Sequence, residues 1–342
     1  MCAQVVARVG GMDNVVRLLA LVSVVLLLVR ANPLMSSSSD DGLRIVVTFS
    51  NLVDDINMVK CREDRVVSIL PQLVEPHDYY LTPEDVRLLK QANLIISTAH
   101  THFELEIREL IGAGEINSVL IEVPKIPGVK VVKNPATGMD NLHMPIYDPR
   151  NYLTFMRNVT ETLKRLNPSC SLIYEANYAV VKAKVESLLA RNTTYLLRGI
   201  ATKPAAQYAV TWLGVNVTRL VIPEEGVSPT TTTILEIEDM LRTRSVEILI
   251  VIKGDEYSDY LRSLGKQYGV PVIEIPTPFT QGSMISKLEY VVAQIAEIQV
   301  SHTLQDELED HNPYDLMTLV LTVFVVCLLF IVAMIILRGG RL

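Results

Sequence analysis

Residues 66–98, VVSILPQLVEPHDYYLTPEDVRLLKQANLIIST, contain one complete strand–helix–strand pattern. Two apolar runs, Val66–Leu70 and Leu94–Thr98, enclose a helical segment. That segment begins with TPED at 82–85, which places a capping hydroxyl before a proline and two acids in the first turn. Neither run alternates with polar residues, as is typical of parallel strands covered on both faces. The stretch predicts an α/β fold with a parallel sheet.

The same alternation continues on both sides of this stretch. Five further apolar runs are strand candidates: Arg44–Thr48, Val119–Val123, Arg219–Ile222, Glu247–Ile252 and Val272–Ile275. Ser228 and Pro229 mark a second helix start. From Asp148 to about Asn192 the alternation stops, and two helical patterns separated by Asn167-Pro168 take its place. The chain therefore has two α/β halves with a helical region between them.

The second helical pattern runs from Ser169 to Arg191, and its apolar side chains fall roughly on one face. They are Leu172, Ala176, Ala179, Val180 and Leu188. Such a helix would be roughly 30 Å long or more. We predict two doubly wound lobes, 43–167 and 193–300, joined by a rigid linking helix at 168–192. Two lobes joined in this way leave a cleft between them.

Both ends of the chain carry long uncharged apolar runs. Leu18–Val29 is short for a membrane span, and it predicts a signal peptide or N-terminal anchor within residues 1–31. A Ser-rich tether at 32–42 follows. At the other end an acidic spacer, 301–315, precedes a predicted transmembrane helix at 316–337. The arginines after this helix place the C-terminus in the cytoplasm, so the main domain is expected to face outside the cell membrane.

Charge and cysteine content limit the classes of function. The chain has 31 basic and 38 acidic side chains and a net charge of -7, which argues against nucleic acid as a partner. Of its four cysteines, only Cys61 and Cys170 lie in the outward-facing segment, so one disulfide can form there. Because there is no CxxC pair, a zinc site made of thiolates is not expected.

Four histidines follow strand candidates of the first half. They are His77, His100, His102 and His143. Ligands of parallel α/β sheets bind beyond the carboxyl ends of the strands, so these loops can converge at one edge. Neutral imidazoles bind zinc well because they supply lone pairs without adding charge. The pattern predicts a metal site at this edge.

The motifs around these residues carry a resemblance to a known family. The PQLVEPHDYYLTPEDVRLLKQANLII segment at 71–96, the NPSCSLIYEAN segment at 167–177 and the DPRN segment at 148–151 resemble the zinc/manganese solute-binding proteins of ABC importers, in order and at the family's spacing. The resemblance implies a two-lobed receptor that captures zinc or manganese as its transported ligand. It also implies an ABC permease and its ATPase as partners, with His77 as the first metal ligand and His143 as the second.

The second half departs from the family pattern. Lys203 stands where the resemblance implies the third ligand, and no acid lies near Pro276-Thr277, where it implies the fourth. A protonated lysine cannot bind a cation. Three explanations remain open: His100 or His102 replaces a lost ligand, Glu225 reaches in from the other lobe, or metal binding is lost and Lys203 holds an anionic solute. We favour the first, with His100 as the replacement.

Catalytic motifs are missing from the sequence. It has no HExxH, GxSxG, P-loop or GxGxxG pattern, so we do not expect an enzyme. A metallohydrolase would need a general base, for which Glu75 is the obvious candidate, and an adhesin is a further alternative without a sequence feature of its own.

Overall fold

The computed structural model describes residues 42–71, 74–191, 196–224, 226–310 and 321–325, with side chains of the last helix described up to residue 298. All elements named below belong to the unit Leu43–Leu342.

The first lobe is built on a four-stranded parallel sheet with the strand order β2-β1-β3-β4. Its strands are β1 Arg44–Val47, β2 Arg65–Ser68, β3 Leu94–Ser97 and β4 Val119–Glu122. Helices α1 Asn51–Asn57, α2 Pro83–Gln91 and α3 His102–Gly112 connect them. The predicted start of α2 is confirmed, because the Asp85 backbone N–H donates to Thr82 Oγ1 over 3.2 Å and the Thr82 N–H donates to Asp85 Oδ2 over 2.8 Å.

Two long helices interrupt the α/β alternation, as the sequence predicts. They are α4 Pro149–Leu166 and α5 Ser171–Ala190, with a 3₁₀ turn, Pro168–Cys170, between them. The two helices pack against each other. The apolar face predicted for α5 is wrong, because Leu172 is 86% and Val180 58% exposed. The buried residues of α5 are Tyr174, Val181, Val185 and Leu188.

A disulfide between Cys61 and Cys170 ties the first lobe to the start of α5. Asp64 reinforces this junction: its carboxylate accepts hydrogen bonds from the Cys61 N–H over 2.9 Å and from the Tyr174 hydroxyl over 2.7 Å. The one disulfide predicted for the outward-facing segment is therefore formed.

The second lobe repeats the sheet of the first, with the order β6-β5-β7-β8 and all strands parallel. Its strands are β5 Leu197–Ala201, β6 Val215–Leu220, β7 Ile248–Ile252 and β8 Val272–Ile275. Its helices are α6 Ala205–Thr211, α7 Thr231–Arg242 and α8 Ser258–Tyr268, followed by α9 Met284–Asp310. Because α9 continues through residues 301–310, most of the predicted acidic spacer is helical.

The sequence prediction missed β5, although it lies between two strands of the second sheet. Arg198 and Gly199 interrupt its apolar run. A Cβ at Gly199 would lie 2.7 Å from Ile250 Cδ1 and 3.3 Å from the Ile248 carbonyl oxygen, both on β7, so glycine favours close packing there. The residue that hides the strand in the sequence thus lets the two strands approach each other.

Several predicted features fall outside the described residues. These are the signal peptide or anchor at 1–31, nearly all of the tether at 32–42, Glu225, and all of 316–337 except residues 321–325. Within the described ranges, no helix combines the length and apolar character needed to cross a bilayer.

Candidate metal centre

Three of the four histidines meet in a cavity of about 780 Å³ that both lobes line. His77, His100 and His143 each offer one ring nitrogen, and these nitrogens lie within 4.8 Å of one another. His77 Nε2 lies 3.2 Å from His100 Nε2. The ring centroids of His100 and His143 are 4.2 Å apart. The structure therefore brings together the loops that follow β2, β3 and β4 at one sheet edge, the arrangement that parallel strands favour.

His77 is oriented by the acid two residues before it. It lies in the 3₁₀ turn Pro76–Asp78, and its Nδ1 is 2.9 Å from Glu75 Oε1. Because a carboxylate only accepts hydrogen bonds, Nδ1 carries the proton and Nε2 keeps its lone pair. Glu75, the residue considered as a general base, thus contacts an imidazole and fixes its tautomer.

His100 is positioned by a buried carboxylate in α3. Glu104 accepts hydrogen bonds from the His100 N–H over 2.9 Å and from the Thr98 N–H over 2.6 Å. Ala99 between them has a φ of 56°, an uncommon conformation for a residue with a side chain. Sequence reasoning missed Glu104, although the Thr101-x-x-Glu104 capping box that marks it is visible in the sequence.

His143 is oriented by Asn141 at the boundary between the lobes. The Asn141 amide nitrogen donates to Pro204 O and to Gln207 Oε1, both over 2.9 Å. Its Oδ1 therefore faces His143 Nδ1 at 3.1 Å as an acceptor. Nδ1 must donate, which leaves the lone pair on Nε2. The sequence prediction did not include Asn141.

Burial keeps two of the three rings neutral. Desolvation, with a smaller electrostatic contribution from His77, lowers the pKa of His100 to about 4. Desolvation, with smaller contributions from His100, His77 and Lys203, lowers the pKa of His143 to about 3. Neutral imidazoles are the form that binds a metal ion.

The other predicted residues lie outside this cluster. His102 is exposed at the start of α3, with its ring centroid 5.5 Å from that of Tyr80. Lys203 lines the second-lobe side of the cavity, and its Nζ lies 3.9 Å from Asp255 Oδ1. Sequence reasoning missed Asp255, whose side chain is 1% exposed. It also missed Glu224, the neighbour of Glu225, whose Oε2 lies 3.6 Å from His143 Nε2.

Comparison with known proteins identifies the family to which this chain belongs. Residues 45–301 match the family described as zinc-uptake complex component A, periplasmic, or ZnuA. The chain belongs to the ZnuA family. The family is one of extracytoplasmic solute-binding proteins. The ZnuA family is the one that the motifs at 71–96 and 167–177 resemble.

A curated relative matches this chain at low sequence identity and over part of its length. A protein of Treponema pallidum (strain Nichols), named as metal-binding, is 26% identical over 161 residues. These residues are 43% of this chain and 50% of that protein, so the chain spans about half the length of its curated relative.

Solved structures share the fold at low identity. A crystal structure of ZnuA has a TM-score of 0.61 at 18% identity, covering 75% of this chain and 99% of the other. FpvC from Pseudomonas aeruginosa in complex with Mn²⁺ has a TM-score of 0.62 at 20% identity, with the same coverage. At these identities the likeness establishes the two-lobed fold.

Proposed function

We propose that the protein captures one divalent transition metal ion, zinc or manganese, with His77, His100 and His143. The ion is cargo, and it is passed to an ABC permease and its ATPase. Capture needs coordination and no covalent step. The lobes 43–167 and 193–300 and the linking segment 168–192 are part of this proposal.

The observation that carries the proposal is the 3.2 Å separation of His77 Nε2 and His100 Nε2. Two nitrogens bound to one tetrahedral zinc ion at 2.0–2.1 Å lie about 3.3 Å apart. A hydrogen bond donated by His100 Nε2 spans a similar distance, so metal binding at this nitrogen would move its proton to His100 Nδ1. Glu75 and Asn141 direct the lone pairs of two rings into the cluster before the ion arrives, which lowers the cost of ordering the ligands.

The charges around the cluster also favour a cation. Glu75 lies beside His77 and Glu224 beside His143, while Asp255 offsets the charge of Lys203. Negative surroundings stabilise an ion held by neutral ligands.

Membrane attachment belongs to the proposal as well. The apolar run at 316–337, followed by Arg338 and Arg341, is long enough to anchor the receptor beside its permease. Attachment to the same membrane would raise the effective concentration of the receptor at the permease.

Calorimetric titration with zinc and with manganese tests the proposal. The purified protein should bind about one equivalent of at least one of these metals, and His77→Ala should lose this binding. His102→Ala is the matched control, since His102 is a histidine of the same lobe outside the cluster. Absence of binding to both metals by the unaltered protein would contradict the proposal.

One observation favours a second candidate function. Lys203 and Lys253 both line the cavity, and two cationic side chains suit an anionic solute. Under this alternative the protein would bind citrate or inorganic phosphate in the absence of metal, and a chelator would leave that binding unchanged.

A further inference from the structure

The surroundings of His143 Nε2 indicate a fourth metal ligand in addition to the three histidines. Asn141 holds the proton of this ring on Nδ1, so Nε2 is an acceptor. The atom is buried, and none of the residues that the structure describes hydrogen-bonds to it. A buried nitrogen with a directed lone pair is suited to a metal ion.

Glu224 approaches this same atom from the second lobe. Its Oε2 lies 3.6 Å from His143 Nε2. Its Oε1 accepts a hydrogen bond from Asn134 Nδ2 over 3.1 Å, and the same amide donates to Pro223 O over 2.7 Å. Asn134 belongs to the long loop after β4 that also carries His143. The loop thus holds both the imidazole and the carboxylate that faces it.

Two acceptors that face each other at this distance gain nothing from direct contact. A cation bound to both removes the repulsion between them. Zinc binds nitrogen at 2.0–2.1 Å and carboxylate oxygen at 2.0–2.2 Å, so tetrahedral ligands lie about 3.4 Å apart. The observed distance of 3.6 Å is close to this value.

The symmetry of the two sheets supports the same assignment. The β6 strand has the position in the second sheet that β2 has in the first. Glu224 follows β6 as His77 follows β2. Lys203, at the position implied for a ligand, follows β5 and faces Asp255 instead.

Resting on the proposed function, we propose that Glu224 is the metal ligand of the second lobe. The ion is then held by three imidazoles and one carboxylate from the end of β6. Glu224 is not among the three residues whose ligand atoms lie within 4.8 Å of one another, so its carboxylate must move towards His77 and His100 to complete this set. Through Glu224 the bound ion connects the two lobes, and release of the ion removes that connection.

Glu224→Gln tests this ligand, because the amide keeps the size of the side chain and removes its charge. Zinc affinity is measured by competition with a chelating dye, and the coordination of Co²⁺ is followed by its visible absorption. The variant should still bind one equivalent, with affinity reduced about tenfold or more, since loss even of groups that orient ligands costs 10–100-fold. Its Co²⁺ spectrum should change. The control is Glu238→Gln, an acid of α7 in the same lobe.

The outcomes separate the two proposals. If Glu224→Gln and the unaltered protein have equal zinc affinity and the same Co²⁺ spectrum, while His143→Ala loses zinc, the ligand role of Glu224 is overturned and the histidine site stands. If the unaltered protein does not bind zinc or Co²⁺, the proposed function fails and the ligand role fails with it.

Discussion

The two lobes have the same strand order but different chemistry at the carboxyl ends of their strands. In the first lobe the loops after β2, β3 and β4 supply His77, His100 and His143. In the second lobe the loops after β6, β5 and β7 supply Glu224, Lys203 and Asp255. The fold determines where the loops meet, while the side chains determine what is bound there. One lobe offers three imidazoles, and the other places one cationic and two acidic side chains near them.

The largest change in zinc affinity is expected from substitutions of the first-lobe histidines. His100→Ala and His143→Ala should each lower zinc affinity about 100-fold or more, because each removes a direct ligand from a small set. His102→Ala should leave affinity unchanged, since this side chain is exposed outside the cluster. Calorimetry checks all three variants. An unchanged affinity of the His100 variant would restrict the site to two imidazoles.

A smaller effect of opposite sign is expected in the second lobe. Lys203→Ala should raise zinc affinity roughly tenfold, because it removes a positive charge from the wall of the cavity. Lys253→Ala is the control: Lys253 lines the same cavity but is exposed, so water and salt screen its charge. Dye competition at low and high salt measures both. A fall in zinc affinity for Lys203→Ala would contradict this repulsive role of Lys203.

The smallest expected effect is the number of protons released when zinc binds. The pKa of His100 is lowered to about 4 and that of His143 to about 3, so both rings are already neutral at pH 6. A lowered pKa favours the neutral form, and protons compete with the metal at these two rings only as the pH falls towards 4. Zinc binding at pH 6 should therefore release at most about one proton. Calorimetry in buffers of different ionisation enthalpy measures this number, and release of two or more would contradict the buried geometry.

The fold was largely predictable because hydrophobic runs and helix starts are local signals. Seven strands and the helix start at Thr82 follow from such signals. The missed strand β5 contains Gly199, which weakens the local strand signal in the sequence. The reason for a glycine at this position is the close approach of β7 across the sheet. The wrong face of α5 has a similar cause, since Leu172 and Val180 are apolar and yet exposed.

The site was predictable in part for the same reason. His77, His100 and His143 follow strands, and strand order alone brings their loops to one edge. Asn141 and Glu224 act through contacts between the lobes, which sequence spacing does not encode. Glu104 is the exception, because its capping box is a local signal that predicts an ordered turn before α3.

The most direct test of the shared histidine site is a crystal structure of the zinc-loaded protein with anomalous data collected at the zinc absorption edge. One strong anomalous peak is expected about 2.0–2.1 Å from a ring nitrogen of each of His77, His100 and His143. A peak at any other place, or one that contacts only one of these rings, would contradict the shared histidine site.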